Sequence, residues 1–535
     1  MTRRLRRAVT AALALALAVA VAPFASTSAA VSAGTTYVAI TGSGSTWSQN
    51  ALDQWRKNVS TAYGMTVNYT GNGSTAGRTD FINGSVDFAI SEIPFQARPQ
   101  DGSAPERPSR AYAYMPIVAG GTSFMYNLKI GGKRVTNLRL SGDVITKIFL
   151  GQITRWNDKA ITADNPALAM PDKAITPIVR SDGSGTSAQF TLWMSKQYSS
   201  LWKTGMTSQF PTPRNGKAQA GSLGVAGYVS QTYGEGAIGY VEYSYALKSG
   251  FPVAKVLNRA GYYIEPTADS VAVALLKAQI NTDPNSPDYL TQILDGVYNN
   301  DDRRTYPLSS YSYMIVPTKA EGIFTEKKGQ TLGAFAQYVL CQGQQRAAEL
   351  GYSPLPMNLV LAGSDQLKRI PGWGKGIDTS NCDNPTFKPG DSPSNNQVAL
   401  KAPQPQACDK QGPTQCATGT AGAKTNTPVS SGNAASGGGA TSGGAGTGSS
   451  GGAATGGSAA GTGDPVYDAN GALVSGQAAS VGGAVATPFT APTPAWGPAQ
   501  WLMVAAVVLL LALIAAPAVA MRHRRSSRPT PPASR

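Results

Sequence analysis

The sequence predicts an α/β protein with open sheets, arranged as two lobes. Short β-type runs alternate with amphipathic helical patterns from about residue 35 onward. Turns rich in glycine and hydroxyl residues stand where one pattern gives way to the other. The folded stretch of about 365 residues is also too long for one ordinary core, which makes two lobes the default.

Taken in order, residues 35–40 read as a strand, 49–62 as a helix and 66–69 as a second strand. Residues 86–90 read as a strand, and 113–117 and 123–128 as two further strands. A helix is expected over 140–149, a strand over 176–180 and a helix over 187–197.

The chain ends have different compositions. Arg3, Arg4, Arg6 and Arg7 precede an apolar run, then small residues through Ala30, so 1–30 reads as a secretory signal peptide. Residues 401–495 are rich in Pro, then in Gly, Ala, Ser and Thr, and read as a disordered linker. As a flexible coil it would reach roughly 55 Å. Residues 501–520 are almost wholly apolar and are followed by Arg522, Arg524, Arg525 and Arg528. That pattern predicts a transmembrane helix with a basic cytoplasmic tail over 521–535. The expected localisation is therefore a single-pass plasma-membrane protein with its binding domain on the extracellular face.

The formal charge of +15 overstates the basicity of the body. With the four leader arginines, five tail arginines and three linker lysines set aside, 33 bases face 27 acids, about +6. That mild excess suits a small anion and gives no support for nucleic-acid binding. Four cysteines allow three pairings; Cys341–Cys382 and Cys408–Cys416 are favoured because each closes the shorter loop. The only histidine, His523, lies beyond the apolar segment, which argues against a Ser-His-Asp hydrolase and against a metal site. No enzyme activity and no cofactor are expected.

Three turns carry the chemistry: residues 41–47, 70–77 and 180–187. In each, glycine lets the backbone come close to a ligand, while hydroxyls and helix N-terminal amides offer donors to an anion. Arg180 adds a planar fork that matches an oxyanion, and Asp182 stands where it can hold the guanidinium.

In sequence and order, these turns resemble those of the periplasmic phosphate-binding proteins. So do 86–92 (VDFAISE), 148–158 (IFLGQITRWND) and 236–243 (GAIGYVEY), and the resemblance covers about 35–360. It implies a type II periplasmic-binding-protein fold, with lobe I from 35–117 and 306–395, lobe II from 118–305, and a hinge between them. It also implies capture of inorganic phosphate in an interlobe cleft and delivery to the permease and ATPase subunits of an ABC importer. Thr46, Trp47 (through its backbone), Ser74 and Glu92 would bind phosphate from one lobe. Arg180, Ser184, Gly185 and Thr186 would bind it from the other. Glu92 departs from the family, which has Asp there to accept the proton that phosphate retains; the extra methylene could weaken affinity or favour a larger tetrahedral anion. The competing reading is a non-transport surface protein, an adhesin or anion sensor, on the same fold.

Overall fold

The computed structural model describes residues 36–423 except 284 and 287, together with the backbone of two short paired strands, Val466–Tyr467 and Leu473–Ser475. The expected signal peptide, most of the expected linker, and the segments 501–520 and 521–535 lie outside the described residues.

Eight strands form one mixed sheet: β1 (Ile40–Gly44), β2 (Val67–Thr70), β3 (Phe88–Ser91), β4 (Tyr112–Tyr126), β5 (Thr176–Arg180), β6 (Lys217–Gln219), β7 (Ala237–Glu242) and β8 (Ser309–Pro317). Their order is β2-β1-β3-β8-β4-β7-β5-β6. Helices α1 (Gln49–Tyr63) and α2 (Ser74–Ile82) connect the parallel strands of the first half. Helices α3 (Gly142–Phe149), α4 (Gly185–Gln197) and α5 (Gly221–Ser230) belong to the second. In α1 the residues Leu52, Trp55 and Val59 recur at helical spacing and are buried, and Gly64 closes the helix at φ 65°.

The two strands expected at 113–117 and 123–128 are one strand of 15 residues. Gly120 and Gly121 stay extended and only the pairing partner changes. Up to Gly121 the strand pairs with β8, and from Thr122 it pairs with β7. The sheet is thus two half-sheets that share β4. The first expected strand also shifts: the register runs Ile40–Gly44, carrying pairing into the glycine-rich turn.

Both favoured disulfides are present, Cys341–Cys382 and Cys408–Cys416. The second corrects the linker boundary, because residues 401–423 are packed against the body. Lys255 and Asp409 form an ion pair at 2.6 Å, each side chain about a tenth exposed. Arg139, fully buried, donates to the carbonyl of Thr414 at 2.8 Å, and Thr420 Oγ1 donates to that of Val253 at 2.6 Å. A Pro- and Gln-rich segment is ordered here by partners elsewhere in the chain and by a short covalent loop.

The membrane placement is also corrected. Among the described residues no helix is long and apolar enough to cross a membrane. The longest, α1 and α6 (Glu326–Leu340), have 15 residues each and carry charged side chains. At 1.5 Å per residue they span about 22 Å, short of a hydrocarbon core of about 30 Å.

Candidate functional site

The site lies where the turns after β1, β2, β5 and β6 meet at the seam between the half-sheets. Four helices of nine residues or more, α1, α2, α4 and α5, begin there. Each brings the N–H groups of its first turn and the positive end of its dipole to one place. That convergence already defines a region suited to negative charge.

Arg180 is at the centre, only 3% exposed. Its Nε donates to Asp182 Oδ1 at 2.7 Å, and its Nη2 donates to Asp182 Oδ2. Asp182 also accepts the Gly221 N–H at 2.9 Å, tying the arginine to the start of α5. The outer edge of the guanidinium reaches Thr46 Oγ1 at 3.0 Å, and Thr186 and Ser222 at 3.3 Å each. The Arg180 N–H donates to Tyr240 OH at 3.1 Å, and burial pushes that phenol up to about 12. The arginine is therefore fixed in orientation before any ligand arrives.

Glu92 faces the seam from the first half and is fully buried. Its Oε1 accepts from Ser45 at 2.5 Å and from Ser312 at 2.6 Å, and its Oε2 accepts from Ser74 at 2.8 Å. Gln189 and Gln292 donate to its backbone carbonyl at 2.7 and 3.0 Å. A carboxylate has about four lone-pair sites, so three hydroxyl donors leave roughly one for a further proton. Gly185 lies hard against this group. A Cβ there would come within 1.9 Å of Glu92 Oε2 and 2.6 Å of Ser74 Oγ. Its N–H donates to Ser74 Oγ at 3.1 Å across the seam. Gly73, at φ 98°, makes a second close approach, 2.7 Å from its would-be Cβ to Asp182 Oδ2.

Thr46, Ser74, Glu92, Arg180, Gly185 and Thr186 are brought together. Two expected residues sit differently. The Ser184 hydroxyl caps α4 by accepting the Ser187 N–H at 3.1 Å. The Trp47 N–H donates to Ser45 Oγ at 2.9 Å, and its indole is buried against Tyr352. Three site residues were not anticipated. Ser45 lies within the first turn, beside the residue chosen. Ser222 begins α5 after Gly221, the same glycine–serine helix start seen in the other turns, and Ser312 alternates with Ser310 along buried β8. Beside Thr75 the two halves enclose a cavity of about 460 Å³ lined by Arg78, Gln96, Met206 and Gln209, so the seam is shut at the turns and open further out.

The profile of the PBP superfamily domain matches residues 27–342. The phosphate-binding protein PstS of Xylella fastidiosa (strain Temecula1) is 33% identical over 327 residues, 60% of this chain and 83% of that protein. Phosphate-binding protein PstS 2 of Mycobacterium tuberculosis is 32% identical over 317 residues, 59% of this chain and 82% of its own length. A solved structure of the ancestral soluble variant of the human phosphate binding protein aligns at TM-score 0.48 with 20% identity, covering 64% of this chain and 99% of that one. The mixed α/β architecture is thus that of the periplasmic-binding-protein superfamily, and the chain belongs to its PstS-like family.

Proposed function

We propose that this protein is the substrate-binding component of a phosphate importer, taking inorganic phosphate between two lobes and passing it to an ABC permease and its ATPase. The observation that carries the reading is the convergence of an oriented arginine, hydroxyls and four helix N-termini opposite one buried carboxylate. Relatives named as phosphate-binding proteins support it. In this reading the lobes are the two half-sheets, of type II arrangement, and the hinge falls at Gly121–Thr122, where β4 changes partner. Arg180 and the amides of α2 and α4 neutralise the anion, while Thr46, Ser74 and Thr186 complete its shell. Phosphate keeps a proton near neutral pH and donates a hydrogen bond through it to Glu92. Sulfate has none to give, so it meets a buried acceptor that is both repelled and unpaired. The protein binds and releases its ligand without chemical change.

Calorimetry with the purified full chain tests this. Phosphate binds with one-to-one stoichiometry, and sulfate at a hundredfold higher concentration does not displace it. Equal affinities for the two anions refute the role given to Glu92, and no phosphate binding at all refutes the function.

A further inference from the structure

The motif at 236–243 lends Tyr240 to the anion site, and its glutamate is among the most enclosed ionisable groups in the described structure. Glu242 ends β7 and is fully buried. Its Oε2 accepts the Ser244 N–H at 2.7 Å, and its Oε1 has no hydrogen-bond partner. Burial raises its pKa well above the usual carboxylate range, with the bonds from Ser244 only partly opposing this.

Its place in the fold gives that burial a meaning. Glu242 pairs with Thr122, the first residue of β4 beyond the hinge, and Gly120 pairs with Ser310. Residues two apart on a strand share a face, so Gly120, Thr122, Ser310 and Glu242 lie on the same side of the sheet. A Cβ on Gly120 would lie 2.8 Å from the Trp47 ring and 3.2 Å from Glu242 Oε1, so the indole covers the carboxyl. Thr122 Oγ1 and Ser310 Oγ, on the same face, also lack partners.

The lid over Glu242 is the anion-binding turn itself. Tyr245 and Tyr352 donate to the carbonyls of Thr46 and Trp47, the latter at 2.7 Å. Tyr352 packs edge-on against Trp47, and Asn50 reaches Ser244 at 2.8 Å. Trp47 and Asn50 follow β1 in the first half-sheet, whereas Glu242, Ser244 and Tyr245 extend from β7 in the second. Separating the halves lifts the turn from the carboxyl. The titratable groups facing Glu242 are the phenols of Tyr243, Tyr245 and Tyr352; Arg180 and Asp53 bear on Tyr245, and Glu265 on Tyr243.

We propose that Glu242 is a proton-linked positioning residue: closure on phosphate seals it as the neutral acid beneath the anion-binding turn, and its ionisation favours the open form. This rests on the phosphate reading above. Closure takes up a proton between the ordinary glutamate range of the hydrated open form and the raised value of the closed form. Phosphate affinity therefore falls as pH rises through that window, by at most tenfold per unit for one proton.

The test compares the full-length protein with Glu242→Gln by calorimetry from pH 6 to 8. The ligand's own ionisation is common to both proteins and cancels in the ratio of their dissociation constants. That ratio, wild type over variant, is expected to rise as pH increases, by up to tenfold per unit. Parallel curves overturn the proposal while leaving phosphate binding intact; absence of phosphate binding in the wild type overturns both. Should the variant not fold, the wild type alone decides. Titrations in two buffers of different ionisation enthalpy must show proton uptake beyond that of phosphate itself, and none refutes the link.

Discussion

Replacing Arg180 with alanine removes the one buried cation at the anion site and leaves the Asp182 carboxylate behind. Two losses combine. Each charge-assisted bond from a fixed guanidinium to phosphate contributes about 1.5–3 kcal/mol, and the outer edge presents two nitrogens. Together they give about 4 kcal/mol, or roughly a thousandfold in affinity. The abandoned carboxylate then adds repulsion, because Asp182 is oriented only by Arg180 and the Gly221 N–H. The double variant Arg180→Ala/Asp182→Asn should therefore bind phosphate about tenfold better than the single variant, as coupled neighbours do. Titration calorimetry at constant salt and pH reads both. A dissociation constant for Arg180→Ala within threefold of wild type refutes the central role of the arginine. A double variant weaker than the single one refutes the placement of Asp182.

Other substitutions probe separate parts of the structure. Glu92→Gln should reduce phosphate affinity by roughly 10–100-fold and raise that for sulfate, measured by competition; an unchanged selectivity ratio counts against the proton-acceptor role. Gly185→Ala forces a methyl to within 1.9 Å of Glu92 Oε2, so binding should weaken by more than tenfold and the overpacked seam should cost about 1–3 kcal/mol of stability. Asp409→Ala leaves Lys255 without its partner and should cost on the order of 3 kcal/mol in urea unfolding; a loss below about 0.5 kcal/mol shows that 401–423 is not structural. Because burial raises the pKa of Glu242 in the fold, its contribution to stability is complete below the ordinary glutamate range and is lost as pH climbs toward the folded value. Thermal midpoints of wild type should accordingly fall relative to Glu242→Gln on going from pH 5 to 8.

The anion turns were legible because their signals are local: glycine, hydroxyl and a helix start within a few residues, with Arg180 and Asp182 two apart. Ser312 was not, since its link to Glu92 crosses 220 positions and no nearby residue announces it. The single strand through Gly120 and Gly121 was hidden because adjacent glycines favour a break locally, and the extended form is imposed by β7 and β8 on either side. Residues 401–423 read as linker from composition, whereas their order comes from Arg139, Lys255 and Thr136, which lie far back in the chain. The disulfides followed from loop length alone. The correction on membrane placement has another source: the expectation rested on a segment outside the described structure.

The shared strand β4 has a consequence for how the molecule comes apart. Protein lobes joined by flexible connections can melt separately, each with its own heat-absorption peak. Here one run of backbone bonds belongs to both half-sheets, so frayed pairing on either side exposes the central strand of the other. Amides from about 113 to 126 should be the last to exchange with deuterated water, at a free energy close to that of global unfolding. The proposed hinge would then be the place where the molecule is hardest to open.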